Sequence, residues 1–293
     1  MPLPIKEPPH ILTHRGLEPD QPRFYSESSF EAFQDQITRG YGLEFDPNFT
    51  QNGIVVWHDT TANRLTGGKE RRNLLDIPTE ELLTFSLNKG RLCSLNELFV
   101  LIKSDPKLTH ALHLKGSFQT PHLLERLADL LTQHKEIIPQ LIIFDLKPKS
   151  ASFFKKRFPQ ANLAAAVAHP YDIERFNTTV GGTLLFVDEL LQHKDLYNWA
   201  WLDEWDRKAT AGKRKTLYTK EIFTLLRSNS IGIALVSPEL HASSPGLLGG
   251  ECHEDAKNMN SLQKRMEEIV ALQPNFICTD FPQRYRSLTE QVQ

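Results

Sequence analysis

Eight short apolar runs recur along the chain, each turning polar at its C-terminal end. They are HILTHRG (10–16), GLEFDP (42–47), HALHLKG (110–116), LIIFDLK (141–147), LAAAVAH (163–169), WAWLDE (199–204), GIALVSPEL (232–240) and FICTDFP (276–282). Amphipathic segments lie between them, among them SSFEAFQDQITRG, PHLLERLADLLTQH, TKEIFTLLRSNS and MNSLQKRMEEIVALQ. Strands that alternate with helices pair in parallel, and eight such units in 293 residues suit an α/β fold of the TIM (β/α)8 barrel type. One barrel domain over 1–293 is the expectation. Ser28 or Ser29 caps its first helix and Gly40 stops it.

Two intervals resist a simple reading. GTLLFVDELLQ (182–192) competes for the sixth strand, but Leu184, Leu185, Val187, Leu190 and Leu191 cover most of one helical face, and a helix is expected there. The interval 48–108 is long for one crossover. It implies a small elaboration on the C-terminal face, with IVVWHD as an extra strand that delivers His58.

Barrel enzymes build their sites from the C-terminal ends of the strands. Here those positions hold His14, Glu44, Asp46, His113, Lys115, Asp145, Lys147, Asp203, Glu204, Glu239 and Asp280. The net charge of -2 supplies no global attraction for nucleic acid or anionic lipid, so an anionic substrate has to be held by local charge. A small-molecule substrate is expected and nucleic acid is not; the oligomeric state is not legible. MPLPIKEPPH lacks an apolar signal core, and no stretch approaches the roughly 20 apolar residues of a membrane span, which gives a cytoplasmic expectation. Cys93, Cys252 and Cys278 are odd in number and form no CxxC, so reduced thiols are expected.

Alternate side chains of a strand share a face, so Glu44 and Asp46 project together and Phe45 points away. Two carboxylates about 6 Å apart repel by about 3 kcal/mol at an effective dielectric near 20, a conflict that a hard cation between them removes. Oxygen donors suit Mg²⁺ and Ca²⁺ alike. His14 and His58 are candidates for acid and base, because imidazole titrates near neutral pH.

The ordered string His14-Arg15-Gly16, Ser29-Phe30, Ala32-Phe33, Gly40, Glu44-Phe45-Asp46, Thr50, Gly53 and Val56-Trp57-His58-Asp59 resembles the glycerophosphodiester phosphodiesterase family, in the larger group that contains phosphatidylinositol-specific phospholipase C. Asn63-Arg64-Leu65-Thr66 and Cys278-Thr279-Asp280-Phe281-Pro282 resemble later segments of the same family, which is a TIM barrel. The resemblance implies His14 and His58 as general base and acid, Glu44 and Asp46 as metal ligands, and Arg15 and Lys115 on the substrate phosphate.

The chain also departs from the family. Where the third strand usually reads ExK it has His113-Leu114-Lys115, so His113 is either a nitrogen ligand or no ligand. A neutral imidazole in place of a carboxylate lowers the negative charge, which weakens the hold on Mg²⁺ or Ca²⁺ and admits Mn²⁺ or Zn²⁺. Asp145 on the next strand is a candidate to compensate. PEN is altered to Ser26-Glu27-Ser28, which keeps Glu27 but loses its amide partner. Glu239 and His241 are candidate polar contacts, and Trp199, Trp201 and Trp205 either line a leaving-group pocket or pack.

The expected activity is metal-dependent hydrolysis of a glycerophosphodiester-like ester through a cyclic phosphate, a reaction of lipid metabolism. The alternatives are a phospholipase D-like lyase that stops at the cyclic phosphate, and a barrel that binds a phosphorylated ligand with little turnover.

Overall fold

The computed structural model describes residues 8–204, 217–240, 256 and 258–291. Its strands are β1 (His10–His14), β2 (Gly42–Phe45), β3 (Pro47–Phe49), β4 (Ile54–Val56), β5 (His110–His113), β6 (Leu141–Phe144), β7 (Asn162–Val167), β8 (Leu184–Leu185), β9 (Trp199–Leu202), β10 (Gly232–Val236) and β11 (Phe276–Thr279). The helices are α1 (Phe30–Thr38), α2 (Thr79–Leu82), α3 (Leu95–Ile102), α4 (Pro121–Gln133), α5 (Pro148–Arg157), α6 (Pro170–Val180), α7 (Val187–Gln192), α8 (Lys220–Ser228), α9 (Met259–Ala271) and α10 (Pro282–Gln291).

Strands β1, β2, β5, β6, β7, β9, β10 and β11 pair in parallel in that order, and β11 returns to β1, so the sheet closes into an eight-stranded TIM barrel. All eight expected strands are present. The 182–192 segment differs from its reading as a helix throughout: Leu184 and Leu185 form β8 against Ala166 and Val167 of β7, and α7 starts only at Val187. The physical reason is an open ladder edge. β6 pairs with β7 only at Asn162 and Leu163, and the backbone of β8 uses the part of β7 that follows.

Period-two alternation divides the barrel into two cores. Leu43, Phe45, Leu112, Ile143, Leu163 and Leu235 belong to the layer between sheet and helices, whereas Leu12, Ala111, Ile142, Phe144, Ala164 and Trp201 fill the interior. Trp201 stacks on Phe144 with centroids 3.8 Å apart, and Trp199 meets Phe276 edge-on at 5.3 Å. These two tryptophans pack the barrel; Trp205 lies outside the described residues. The Ser29 hydroxyl caps α1 by accepting from the Ala32 amide at 3.2 Å, and the chain leaves α1 through Gly40 at φ +79°.

The long crossover begins with the antiparallel hairpin β3–β4 and encloses a small core of its own, with Val55, Trp57, Leu65, Leu74, Leu82 and Leu92. It sets its hairpin directly after β2, which matters for His58. Among the described residues no helix is long and apolar enough to cross a membrane.

At the start of β5, His110 is fully buried and its Nδ1 accepts the Leu43 amide of β2 at 3.2 Å. Burial pulls this imidazole down to about 3. An unfolded chain takes up the proton below about pH 6.5 while the folded one does not, so stability is lost as pH falls through that window. Between pH 8 and pH 5 the loss is about 2 kcal/mol. Other buried groups also titrate in this window, so the His110 contribution is read as a difference: in urea titrations at the two pH values, stability on going from pH 8 to pH 5 is expected to change about 2 kcal/mol less favourably in the wild type than in His110→Gln.

Candidate active site at the C-terminal mouth of the barrel

Glu44, one residue before the end of β2, turns into the barrel, and Asp46 follows two residues later on the same side. Both are buried, as is His14 at the end of β1. His113 ends β5, the neighbour of β2, and comes to the same point: its Nδ1 is 2.9 Å from Asp46 Oδ1 and 3.9 Å from Glu44 Oε1. Glu44, Asp46 and His113 each offer a ligand atom within 4.8 Å of the others. Glu44 Oε2 and Asp46 Oδ2 are buried and accept no hydrogen bond. Two buried carboxylates and an imidazole nitrogen that converge on one point form a donor set that a divalent cation fits.

Positive charge is gathered around this pair. Arg15 Nε is 3.2 Å from Asp46 Oδ2 and Lys115 Nζ is 3.4 Å from Asp46 Oδ1. Burial opposes the Asp46 charge, but Lys115, His58 and Arg15 outweigh it and hold this carboxyl well below the usual range. Burial first, and the Asp46 charge second, raise Glu44 to about 8. Burial also works against a charged His113, yet hydrogen bonds to Asp145 and Asp46 prevail and lift it to about 9.

Arg15 and Gly16 turn the chain at φ +53° and +70°. A Cβ on Gly16 would stand 3.1 Å from the Ala32 side chain of α1, so the HRG turn needs its glycine for both conformation and space. Arg15 is thereby aimed at Asp46 and at Glu27, with Nη1 3.0 Å from Glu27 Oε2. The altered Ser26-Glu27-Ser28 segment thus still supplies a carboxylate, and its second oxygen accepts from Arg64 Nη1.

His58 arrives from the crossover hairpin. The Trp57 amide donates to Asp46 O at 3.0 Å, Asn48 Nδ2 donates to Asp59 O at 2.7 Å, and Lys115 Nζ donates to His58 O. The ammonium that touches Asp46 therefore also anchors the His58 backbone. Burial pulls the His58 ring down to about 4, against the attraction of Asp46 and the hydrogen bond to Asp59.

Each candidate acid-base histidine has Nδ1 on a carboxylate. His14 Nδ1 is 2.8 Å from Asp280 Oδ1 and His58 Nδ1 is 2.8 Å from Asp59 Oδ1. In the neutral ring this places the hydrogen on Nδ1 and makes Nε2 the basic nitrogen; His14 Nε2 lies 4.0 Å from Glu44 Oε2. Arg64 fixes Asp59 in turn through Nε at 2.7 Å. Asp280, Asp59 and Arg64 stand in the sequence motifs, Asp280 also at a strand end, but carry no assigned role there. Their signal is the carboxylate at a strand end in TDFP and the charged pair flanking TTAN after His58.

Glu239 is not part of the Glu44-Asp46-His113 donor set. Its carboxylate accepts from the Ser237 and Thr279 hydroxyls and from the Asp280 amide at 3.1 Å, and burial followed by the Asp280 charge raises it to about 7. It braces the segment that carries Asp280. Asp145 lies on the far nitrogen of His113, with Oδ2 3.2 Å from Nε2. His241 is outside the described residues. A cavity of about 900 Å³ opens beside the site, lined by Leu17, Tyr25, Glu27, Trp57, Arg64 and Phe85 among others.

No family model matches the chain, and no curated protein matches it in sequence. Solved structures do match. A glycerophosphoryl diester phosphodiesterase from Parabacteroides distasonis is 18% identical with a TM-score of 0.67, over 99% of this chain and 89% of that one. A second phosphodiesterase from the same organism, a glycerophosphodiester phosphodiesterase, is 15% identical with a TM-score of 0.64, over 98% and 100% of the two chains. A phosphodiesterase from Oleispira antarctica, solved with the product sn-glycerol-3-phosphate, is 15% identical with a TM-score of 0.62, over 97% of each. At these identities the likeness is one of fold: the chain has the TIM barrel of the glycerophosphodiester phosphodiesterase structures.

Proposed function

We propose that this chain is a divergent glycerophosphodiester phosphodiesterase that hydrolyses a phosphodiester with a hydroxyl next to the phosphate. The observation that carries the reading is the meeting, at one barrel mouth, of a Glu44-Asp46-His113 donor set, two carboxylate-bonded histidines and the cations Arg15 and Lys115. The whole-chain likeness to phosphodiesterase structures, one of them holding sn-glycerol-3-phosphate, supports the same reading.

Glu44, Asp46 and His113 would hold a divalent cation, which when bound lends Lewis-acid stabilisation to charge on the phosphoryl oxygens. His14 Nε2 takes the proton of the neighbouring substrate hydroxyl as that oxygen bonds to phosphorus. The bond to the leaving alcohol breaks, and its oxygen takes a proton from His58 Nε2. Arg15 and Lys115 bind the developing charge. Burial keeps His58 neutral in the resting site, and the anionic diester beside it counteracts that effect by favouring the imidazolium. Water then opens the cyclic phosphate with the two rings exchanging roles.

The cavity beside Trp57 and Arg64 lies on the His58 side and gives room for a leaving alcohol larger than glycerol. Phosphorus NMR of turnover is the test. A transient cyclic ester followed by a phosphomonoester is expected; accumulation of the cyclic ester alone would establish a lyase, and no product from any diester with any divalent metal would refute the proposed reaction.

A further inference from the structure

His113 is locked more firmly than a polar residue at a strand end requires. Both ring nitrogens are engaged, Nδ1 with Asp46 at 2.9 Å and Nε2 with Asp145 at 3.2 Å. The ring plane is set as well, since it stacks on Phe144 at 4.7 Å and 10°, and Phe144 stacks on the interior Trp201. Rotation of the ring would break both hydrogen bonds and the stack together.

Asp145 itself is held in an unfavourable conformation. It has φ +65°, a left-handed value that costs a residue with a Cβ free energy. Gln119 secures it, donating through Nε2 to Asp145 O at 2.7 Å and to Leu114 O at 2.8 Å, while its Oε1 accepts the Lys147 amide at 2.9 Å. The strain and its support have one evident product: a carboxylate delivered to His113 Nε2. In this structure both ring nitrogens donate, Nδ1 to Asp46 and Nε2 to Asp145; a cation that displaced the Nδ1 hydrogen would meet a lone pair already facing Glu44 and Asp46, with Nε2 still held by Asp145. Metal-binding histidines are oriented by this kind of outer carboxylate.

We propose that Asp145 is a positioning residue that holds His113 as a nitrogen ligand, and that the site consequently selects a transition-metal cation such as Mn²⁺ or Zn²⁺ over Mg²⁺ and Ca²⁺. The inference rests on the reading that Glu44 and Asp46 hold a cation. Imidazole in place of a third carboxylate removes a negative oxygen donor, the kind Ca²⁺ and Mg²⁺ require, and adds the borderline donor that Zn²⁺ favours.

Pulsed EPR of the full-length protein loaded with Mn²⁺ gives a readout independent of turnover. A ¹⁴N coupling to the bound Mn²⁺ is expected in the wild type and absent in His113→Glu. Competition dialysis is expected to show Mn²⁺ bound at least tenfold tighter than Mg²⁺ or Ca²⁺, with that preference reduced about tenfold or more in His113→Glu. Asp145→Asn is expected to weaken Mn²⁺ binding roughly 10- to 100-fold with the fold intact by circular dichroism. The wild-type spectrum decides the ligand question even if a variant fails to fold. Mn²⁺ bound without ¹⁴N coupling, or held equally well by a folded Asp145→Asn, overturns the inference and leaves the cation site standing. A wild-type protein that binds no divalent cation overturns both.

Discussion

His14→Asn is expected to lower kcat for a glycerophosphodiester by two to four orders of magnitude while changing KM severalfold at most. Asparagine keeps a polar side chain near Asp280 but has no nitrogen that cycles between protonated and neutral. Thermal denaturation should give a Tm close to that of the wild type, so that the loss is chemical. Asp280→Asn tests the geometry behind it. An amide cannot hold the hydrogen on His14 Nδ1 as a carboxylate does, so the wrong tautomer becomes available and kcat falls at least roughly tenfold. If His14→Asn keeps more than about a tenth of the wild-type kcat, the acid-base role is wrong.

The second large effect is expected at Asp46. This carboxylate is the common partner of Arg15, His113 and Lys115, and Asp46→Asn removes both a ligand and the anion that keeps three cations together. The wild type is expected to bind one divalent cation per chain and the variant none at micromolar metal, measured by equilibrium dialysis with elemental analysis. Turnover should fall about a thousandfold, matching the wild type after exhaustive chelation, and only the wild type should recover when metal is returned. Undiminished stoichiometry in Asp46→Asn would move the cation site elsewhere.

The barrel was legible because its strands are short, apolar and ended by polar residues, a pattern set by closure around one interior. The shared face of Glu44 and Asp46 followed from the pleat alone, whereas HALH marks His113 only as its polar end and leaves its part in the site open. Residues 184–185 were obscured because two leucines satisfy helix and strand periodicity equally, and the choice was made by a vacant edge on β7. The role of β3 was hidden by Pro47, which reads as the end of a strand rather than the first residue of a hairpin. Pairings such as His14 with Asp280 have no local signature at all: the contact joins residues 266 positions apart. Arg64, which reaches back to Glu27 and Asp59, is similarly a product of how the crossover folds over.

That same long contact sets a condition on when the protein can work. β11 is laid down beside β1, so a nascent chain that has not yet released its final strand owns every other part of the mouth and still lacks the group that steadies His14. Full recovery of turnover during refolding should therefore coincide with the docking of β11 on β1, not with the appearance of helical signal. Catalysis becomes a built-in report that the ring has closed.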